Sequence, residues 1–562
     1  MTAHVDRRGL QASSECETSQ SVELAAFLFD RLYASGVRHT FGVPGDFVLP
    51  LYAAQARSRL ATVVVTHEPS AGFAADAYAR VRGLGVAIGT YGAGALNMVN
   101  AIAEAYAEHS PVLVISGAPE IRGRNPDALL HHRVKRFDSQ LAIYRELTAA
   151  SAVLEEAATA AGEVERVLGT MLRLKRPGYI EVPRDMVNAP LTPGSRRRPP
   201  LATQEGTEEE RREAFDEIAQ RLARSRRPAI LAGVDIERFG LATSLRRVAE
   251  RLALPVSTSI DGKAVFPEHH PQFVGTYMGE MGSAVARNVV EGADCLLILG
   301  AYLTDTATGL FTSQIDRRVV IHATADSVSV SYHTYPDVTL PQVIEFLSRL
   351  QARPIQPARQ LPPVPREPEP ASHELTTDAV LDELSRHGSE AVSFTVDSGD
   401  CLFACARLNA DVIINPGYYA SMGFAVPAAL GAALANPRRV AVAVVGDGAF
   451  QMTGTEISTL VSQGARAVVV LLNNSGFSSM AGLDRPRPYF KTAAWDYQAF
   501  ARALGARATQ VVDRRGLRAA FGRALRSEGV TLIEVRLRPD AVSQALRRMG
   551  AVIRARRVGR RR

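Results

Sequence analysis

The chain has little cysteine, no framework of paired cysteines and no long apolar run. Its 562 residues hold 4 cysteines, Cys16, Cys295, Cys401 and Cys405. Cys401 and Cys405 lie four apart, but no second pair follows to complete a zinc site. A disulfide scaffold and a structural metal cluster are therefore both excluded, and a reducing compartment fits. No apolar stretch reaches the ~20 residues that a membrane-spanning helix needs. Residues 1–20 are polar, without the apolar core of a secretory signal, and read as a disordered N-terminus. These absences lead to the expectation of a cytoplasmic protein with no membrane partner.

A strong overall charge is also missing once its location is considered. The net charge is +7, but residues 547–562 alone carry eight arginines and no acid. Setting those eight aside leaves the rest of the chain at −1. A neutral body does not bind nucleic acid by charge, and the basic tail 547–562 reads as a solvated, frayed terminus.

What is present is alternation. Residues 22–33 put Val22, Ala25, Phe29, Leu32 and Tyr33 on one helical face, with Gly36 as a stop. Short apolar strands follow at Val63–Val65, Val86–Gly89, Pro111–Ser116 and Tyr179–Val182, separated by helical stretches. A second set runs through Ala229–Ala232, Cys295–Leu299 and Val319–Ile321, and a third through Ala391–Val396, Val440–Val445, Ala467–Leu472 and Thr531–Val535. Pro190–Pro200 is rich in Pro and Arg, and seven prolines fall between Pro354 and Pro370. The expected organisation is three α/β domains with mostly parallel sheets. They occupy residues 21–190, 200–352 and 373–546, with a Pro-rich linker at 353–372.

The most specific chemical signal is Gly446-Asp447-Gly448 after the strand Val440–Val445, with Asn473-Asn474 closing the next strand. Glycines let the main chain approach a phosphate, and a helix N-terminus favours negative charge. Gly448 is expected to open a turn into a helix around Thr455–Ser462. Asp447 and Asn474, at adjacent strand ends, offer two hard oxygen ligands. A divalent ion there would clamp a diphosphate onto the helix terminus. A lone Gly-Asp-Gly is usually a tight turn, but the strand before it and Asn-Asn after the next strand make the spacing specific.

With these residues the chain resembles the pyruvate decarboxylase branch of thiamine diphosphate enzymes, and within it the bacterial phenylpyruvate and indolepyruvate decarboxylases, from about residue 22 to 550. The resemblance is carried by Phe41-Gly-Val-Pro-Gly-Asp-Phe47, His67-Glu-Pro-Ser-Ala-Gly-Phe-Ala-Ala-Asp76, Thr90-Tyr-Gly-Ala-Gly-Ala-Leu-Asn-Met98 and Ile115-Ser-Gly-Ala-Pro119. His131-His132, Pro416-Gly-Tyr-Tyr-Ala-Ser-Met-Gly-Phe-Ala-Val-Pro427 and Gly446-Asp-Gly-Ala-Phe-Gln-Met-Thr-Gly454 complete it.

It implies a pyrimidine-binding, a central and a diphosphate-binding domain, with thiamine diphosphate and Mg²⁺ as cofactors. Glu68 takes the place of the glutamate that hydrogen-bonds the cofactor's pyrimidine nitrogen, in a partly desolvated position. Met422 takes that of the apolar residue that bends the cofactor. Asp46, His131 and His132 resemble the acid–base set, suited to moving protons near neutrality. Gly45, Ser398, Asp400, Ala420, Gly446, Gly448, Ala449, Phe477 and Ser478 are implied at the cofactor. Asp447, Asn474 and Gly476 are implied at both cofactor and metal. The family also implies a homodimer or homotetramer with a cofactor bridging two chains, and a small 2-oxo acid as substrate.

One position departs from the pyruvate decarboxylases. Six residues beyond Asn474, where they carry a glutamate, stands Met480, and no acid appears before Asp484. An apolar residue there matches the phenylpyruvate branch and a bulky apolar substrate. The leading expectation is decarboxylation of an arylpyruvate (phenylpyruvate or indolepyruvate) to aldehyde and CO₂. Two alternatives stand beside it. One is an acyloin synthase (a carboligase) that couples the decarboxylated fragment to a second carbonyl or acyl acceptor. The other, a non-catalytic regulatory paralogue, is disfavoured by the presence of Asp46, Glu68, His131, His132, Asp447 and Asn474 together.

Overall fold

The computed structural model describes residues 22–125, 127, 129–191, 207–350, 375–388, 391–485 and 487–559. The expected N-terminal segment 1–20, the linker 353–372 and most of Pro190–Pro200 lie outside the described residues.

Most of the apolar runs become strands buried on both faces, as parallel sheets covered by helices require, while the edge strand at Ala61–Val64 is largely exposed. The first sheet contains β1 (His39–Gly42), β2 (Ala61–Val64), β3 (Gly85–Gly89), β4 (Val112–Ala118), β5 (Ala150–Val153) and β6 (Gly178–Pro183). The second contains β7 (Pro228–Ala232), β8 (Val256–Thr258), β9 (Phe273–Thr276), β10 (Cys295–Leu299), β11 (Val320–Ala323), β12 (Ser327–Val330) and β13 (His333–Pro336). The third contains β14 (Val392–Val396), β15 (Ile413–Ile414), β16 (Val440–Gly446), β17 (Ala467–Asn473), β18 (Arg507–Val511) and β19 (Val530–Arg536).

The first and third sheets share one plan. Their orders are β2-β1-β3-β4-β6-β5 and β15-β14-β16-β17-β19-β18, and every pairing in both is parallel. In each, the chain direction reverses between the first and third strands, β1/β3 and β14/β16. Such switch points open a crevice at the strands' carboxyl ends, where ligands of open α/β sheets bind. The second sheet, β13-β12-β11-β10-β7-β8-β9, ends in an antiparallel edge formed by β11, β12 and β13.

The first and third sheets are joined through their helices. Helix Glu68–Arg82 packs directly on helix Ala425–Ala435, and one hydrophobic cluster runs from Phe41, Val63 and Tyr78 through Val426 and Leu430 to Val445 and Phe450. A Cβ on Gly431 would stand 2.0 Å from the Ala74 carbonyl oxygen, so only glycine permits this approach.

Three expectations are corrected. The helix after Gly446 begins at Asp447 itself (Asp447–Thr453), with a second helix at Glu456–Ser462. The tail is not a frayed terminus over its described part, because a helix runs from Gln544 to Gly559. Charge alone hid its apolar face: Leu546 and Val552 are buried and Met549 packs on Ile260, Met278, Met281 and Leu402, while Arg548 Nη1 donates to the Gly282 carbonyl at 2.9 Å. The same helix crosses the expected domain boundary at residue 546. Finally, the short strands β1, β5, β8, β9, β12, β13, β15 and β18 were not read from the sequence, since runs of two to five residues carry little periodicity.

Gly431→Ala sets two effects against each other. Alanine in a helix interior gains about 1 kcal/mol over glycine, whereas overpacking costs about 1–3 kcal/mol. The 2.0 Å contact with main chain makes overpacking win. Differential scanning calorimetry should show a lower melting temperature for this variant, and a higher one would mean that the helices separate freely.

Candidate active site

The carboxyl ends of β14, β16 and β17 surround a cleft lined by Ser398, Asp400, Met422, Gly446, Asp447, Gly448, Ala449, Asn474, Gly476, Phe477 and Ser478 among others. Buried valines and alanines hold these strands in register, Val444 beside Val396 and Val470, so the loops after them converge.

Asp447, 1% exposed, is the first residue of its helix. Its Oδ1 accepts the Gly448 N–H at 3.0 Å and its Oδ2 the Thr492 hydroxyl at 2.7 Å. Burial pushes its carboxyl above the ordinary range, while Thr492 and the Gly448 and Gly476 amides pull the other way. Asn473 and Asn474 have separate tasks. Asn473 Nδ2 donates to Glu534 Oε1 at 2.7 Å, a tether to β19. Asn474 is 8% exposed, and its Oδ1 has no hydrogen-bond partner. Ser475, at φ +61°, then turns the chain towards Gly476.

An orphaned buried amide oxygen is costly unless a ligand satisfies it, and here it lies in the same cleft as a buried carboxylate. A Cβ at Gly446 would meet nothing within 4 Å, so the mouth of the helix is open. Hard oxygen donors beside an open helix mouth fit a divalent cation carrying a diphosphate. The residues present thus fit the expected group.

Asp400 has a second task. It lines the cleft, but its carboxylate accepts the Thr377 hydroxyl at 2.6 Å and the Ser543 N–H at 3.0 and 3.1 Å. It fastens the C-terminal helix rather than offering its acid to an anion, which like charge would disfavour.

On the first sheet, Gly45 and Asp46 follow β1 and Thr90 follows β3, at the matching switch point. Asp46 Oδ2 lies 2.5 Å from His131 Nε2, and its Oδ1 accepts the Thr90 hydroxyl at 3.3 Å. His132 Nδ1 is 3.8 Å from Asp46 Oδ1. Partial burial works upward on the Asp46 carboxyl, but His131, the Phe47 amide and the charge of both histidines hold it below its ordinary range. The His131 ring stacks on Phe47, with 4.9 Å between centroids. His132 has φ +66°, and a Cβ on Gly92 would stand 2.1 Å from its carbonyl oxygen, so Gly92 makes room for the histidine turn.

Glu68 is the first residue of helix Glu68–Arg82 and accepts the Asn97 amide at 2.8 Å. Two residues earlier, Thr66 donates its N–H and hydroxyl to the buried Glu456 at 3.1 and 2.5 Å, which fixes the exit of β2 to the third domain.

The chain therefore gathers two groups. Asp46, His131 and His132 share the switch point of the first sheet, with Glu68 near Thr90 across Gly94. The cleft residues belong to the third domain, and neither Gly45, Asp46, Glu68, His131 nor His132 lines that cleft. Ala420, at φ +63°, and Met480 also stand outside it. Sequence reading missed Thr492, Glu456 and Asp397. Asp397, fully buried, accepts the Ser398, Gly423 and Ala425 amides at 2.9, 3.0 and 2.7 Å, joining the loop after β14 to the segment carrying Met422. Its position directly after an apolar strand was the available signal; the partners of Thr492 and Glu456 lie 45 and 390 residues away and left none.

Comparison with known proteins gives three consecutive matches. The family described as thiamine pyrophosphate enzyme, N-terminal TPP binding domain, matches residues 22–143. The central domain of thiamine pyrophosphate enzymes matches residues 215–350, and their C-terminal TPP binding domain matches residues 397–535. An indole-3-pyruvate decarboxylase of Azospirillum brasilense is 36% identical over 541 residues, covering 94% of this chain and 97% of that protein. An alpha-keto-acid decarboxylase of Mycolicibacterium paratuberculosis is 32% identical over 507 residues, 88% and 89% of the two chains. Pyruvate decarboxylase isozyme 3 of Saccharomyces cerevisiae is 29% identical over 508 residues, 86% and 89% of the two.

Asp447→Asn keeps the shape of the side chain and removes the charge that a cation needs. Cofactor and Mg²⁺ at 100 times their dissociation constant stabilise a native protein by about 2.7 kcal/mol. Calorimetry should show the melting temperature of the parent protein rising with thiamine diphosphate and Mg²⁺ and that of Asp447→Asn unmoved; an equal rise in both would remove Asp447 from the metal site.

Proposed function

The chain belongs to the thiamine pyrophosphate enzymes, as a 2-oxo acid decarboxylase, and from that premise we propose that it acts on an arylpyruvate, phenylpyruvate or indolepyruvate, releasing an aldehyde and CO₂.

Met480 carries the choice of substrate. It projects, 41% exposed, from the short helix Ser478–Leu483, whose first residues Ser478 and Ser479 line the cleft. Met422, 40% exposed, stands at the same cleft. Two flexible thioethers offer apolar, polarisable contact to an aromatic ring, whereas a methyl group fills little of that space. The naming of the Azospirillum brasilense relative for indole-3-pyruvate supports the same class.

Bound thiamine diphosphate supplies the nucleophilic carbon and the electron sink for loss of CO₂. Asp447 Oδ, Asn474 Oδ1 and the Gly476 main chain would hold Mg²⁺, and the Gly446–Ala449 turn would meet the diphosphate. Glu68 would hold a hydrogen bond to the pyrimidine nitrogen. His131 Nε2, paired with Asp46, and His132 would deliver and remove protons at the substrate-derived carbon and oxygen.

Assembly follows from the same geometry. The acid–base group and Glu68 sit on one domain, the cleft is lined by another, and Met422, Met480 and His131 are open to solvent in a lone chain. A second copy that brings its first domain over this cleft would complete two sites by symmetry, as a homodimer or a pair of dimers. No helix among the described residues is long and apolar enough to cross a membrane.

A second reading, acyloin formation, has one observation in its favour. From Asn473 to Leu483 no acidic side chain occurs, so a proton donor present in pyruvate decarboxylases is missing beside the cleft. Without that donor, protonation at the substrate-derived carbon would be slow, and the chemistry supplied by bound thiamine diphosphate could then serve an added aldehyde or 2-oxo acid.

Two measurements test these readings. Specificity constants should favour phenylpyruvate or indolepyruvate over pyruvate, with Met480→Glu narrowing the gap and reducing any hydroxyketone formed with an added aldehyde. Equal or better turnover of pyruvate by the parent protein would defeat the arylpyruvate reading. Sedimentation under assay conditions should find activity in a dimer or tetramer, and a fully active monomer would defeat the shared site.

A further inference from the structure

We propose that Glu104 is a positioning residue: from the first domain it grips the Ser421 N–H of the third domain and thereby sets where Met422 stands at the cleft. The proposal rests on the reading of Met422 as a cofactor-contacting residue.

Segment 415–423, which carries Met422, crosses from β15 to helix Ala425–Ala435 without secondary structure of its own. Its main chain is held by side chains of the first domain. Arg80 Nη1 donates to the Asn415 carbonyl at 2.7 Å. Glu108 Oε1 accepts the Tyr418 and Tyr419 N–H groups at 2.7 and 2.8 Å. Glu104 Oε2 accepts the Ser421 N–H at 3.2 Å, and Asn100 Nδ2 reaches the Ser421 hydroxyl at 3.2 Å. On the far side of Met422, Asp397 accepts the Gly423 and Ala425 amides. Met422 is thus bracketed by two buried carboxyls from different domains, one on each neighbouring residue.

Glu104 is an unusual choice for a merely structural contact. It is 0% exposed, and its Oε1 has no hydrogen-bond partner. It stands four residues from Glu108 on the same helical face, and Asp76 and Arg80 face it from helix Glu68–Arg82. Arg80 is itself committed to both oxygens of Asp76 at 2.7 Å. From the second domain, Arg238 gives its donors to the Glu108 and His109 carbonyls rather than to an acid here, and Asp261 adds negative charge near Glu108. Burial, then the charges of Asp76 and Glu108, push the Glu104 carboxyl well above its ordinary range against the pull of Arg80. Oε1, without a partner, is the oxygen free to take a proton, which would leave Oε2 as the acceptor for the Ser421 N–H. A protonated glutamate has the shape and the acceptor of glutamine, which makes the role separable from charge.

The experiment uses the full chain with thiamine diphosphate and Mg²⁺. Calorimetric titration gives cofactor affinity, and hydrogen–deuterium exchange at C2 of the bound cofactor reports its placement without any substrate. Glu104→Gln should exchange near the parent rate. Glu104→Leu should bind the cofactor yet exchange about ten- to a hundredfold more slowly, the scale of loss that a displacement of about 1 Å produces. Exchange at the parent rate in Glu104→Leu would overturn the proposal, as would a Glu104→Gln variant as slow as Glu104→Leu. Should Glu104→Leu fail to fold, Glu104→Asp keeps the carboxyl and shortens its reach; parent-rate exchange in it would equally overturn the assignment. Failure of the parent protein to bind or exchange the cofactor would strike the underlying reading instead.

Discussion

The rest of the architecture hangs on one contact, the near touching of helices Glu68–Arg82 and Ala425–Ala435. Gly431 against Ala74 brings the backbones close enough that two sheets share a single hydrophobic cluster. Each of those helices begins at a proposed site residue: Glu68 opens the first, and the segment bearing Met422 feeds the second. Fixing the helices against each other therefore fixes two elements, at Glu68 and Met422, that lie 354 positions apart in sequence. Thr66 on Glu456 and Arg80 on Asn415 then pin the ends of the same interface.

Identical strand orders in the first and third sheets explain why chemistry collects where it does. Parallel strands leave all their carboxyl ends at one edge, and the reversal of direction at β1/β3 and β14/β16 opens a crevice there. In one sheet the crevice is edged by Asp46 and Thr90; in the other it holds Asp447, with Ser398 across from it. The two crevices use opposite electrostatics. Asp46 lies open beside two histidines that help hold its carboxyl low, whereas Asp447 lies buried with its carboxyl pushed up. An exposed His–Asp set suits proton exchange, and a buried acid with an orphaned amide oxygen in the same cleft suits a hard cation.

Burying charge between domains carries a cost that the fold meets with main-chain donors. Glu108 and Asp397, each pushed up to about 7 by burial, spend their oxygens on backbone amides of one short segment. Hydrophobic contacts alone would leave that segment free to slide, because apolar packing has no direction. Hydrogen bonds to its amides specify its position along the chain.

How much of this was legible in the chain itself can be followed residue by residue. The sequence by itself determined the α/β class, the buried strands around Val440–Val445 and Ala467–Leu472, and the pairing of Asp447 with Asn474. Those features follow from local pattern: apolar runs of strand length and donors at strand ends. It also disclosed the substitution of Met480 for an acid. Only the tertiary structure decided that Asn473 tethers a strand while Asn474 Oδ1 is left unpartnered, that Asp400 spends its carboxylate on Thr377 and Ser543, and that Gln544–Gly559 is a docked helix. The bracketing of Met422 by Glu104 and Asp397 was likewise invisible. Each of these depends on which of several chemically equal groups meets a partner hundreds of residues distant, and that choice is made when helices and sheets pack, not by the residues alongside it in sequence.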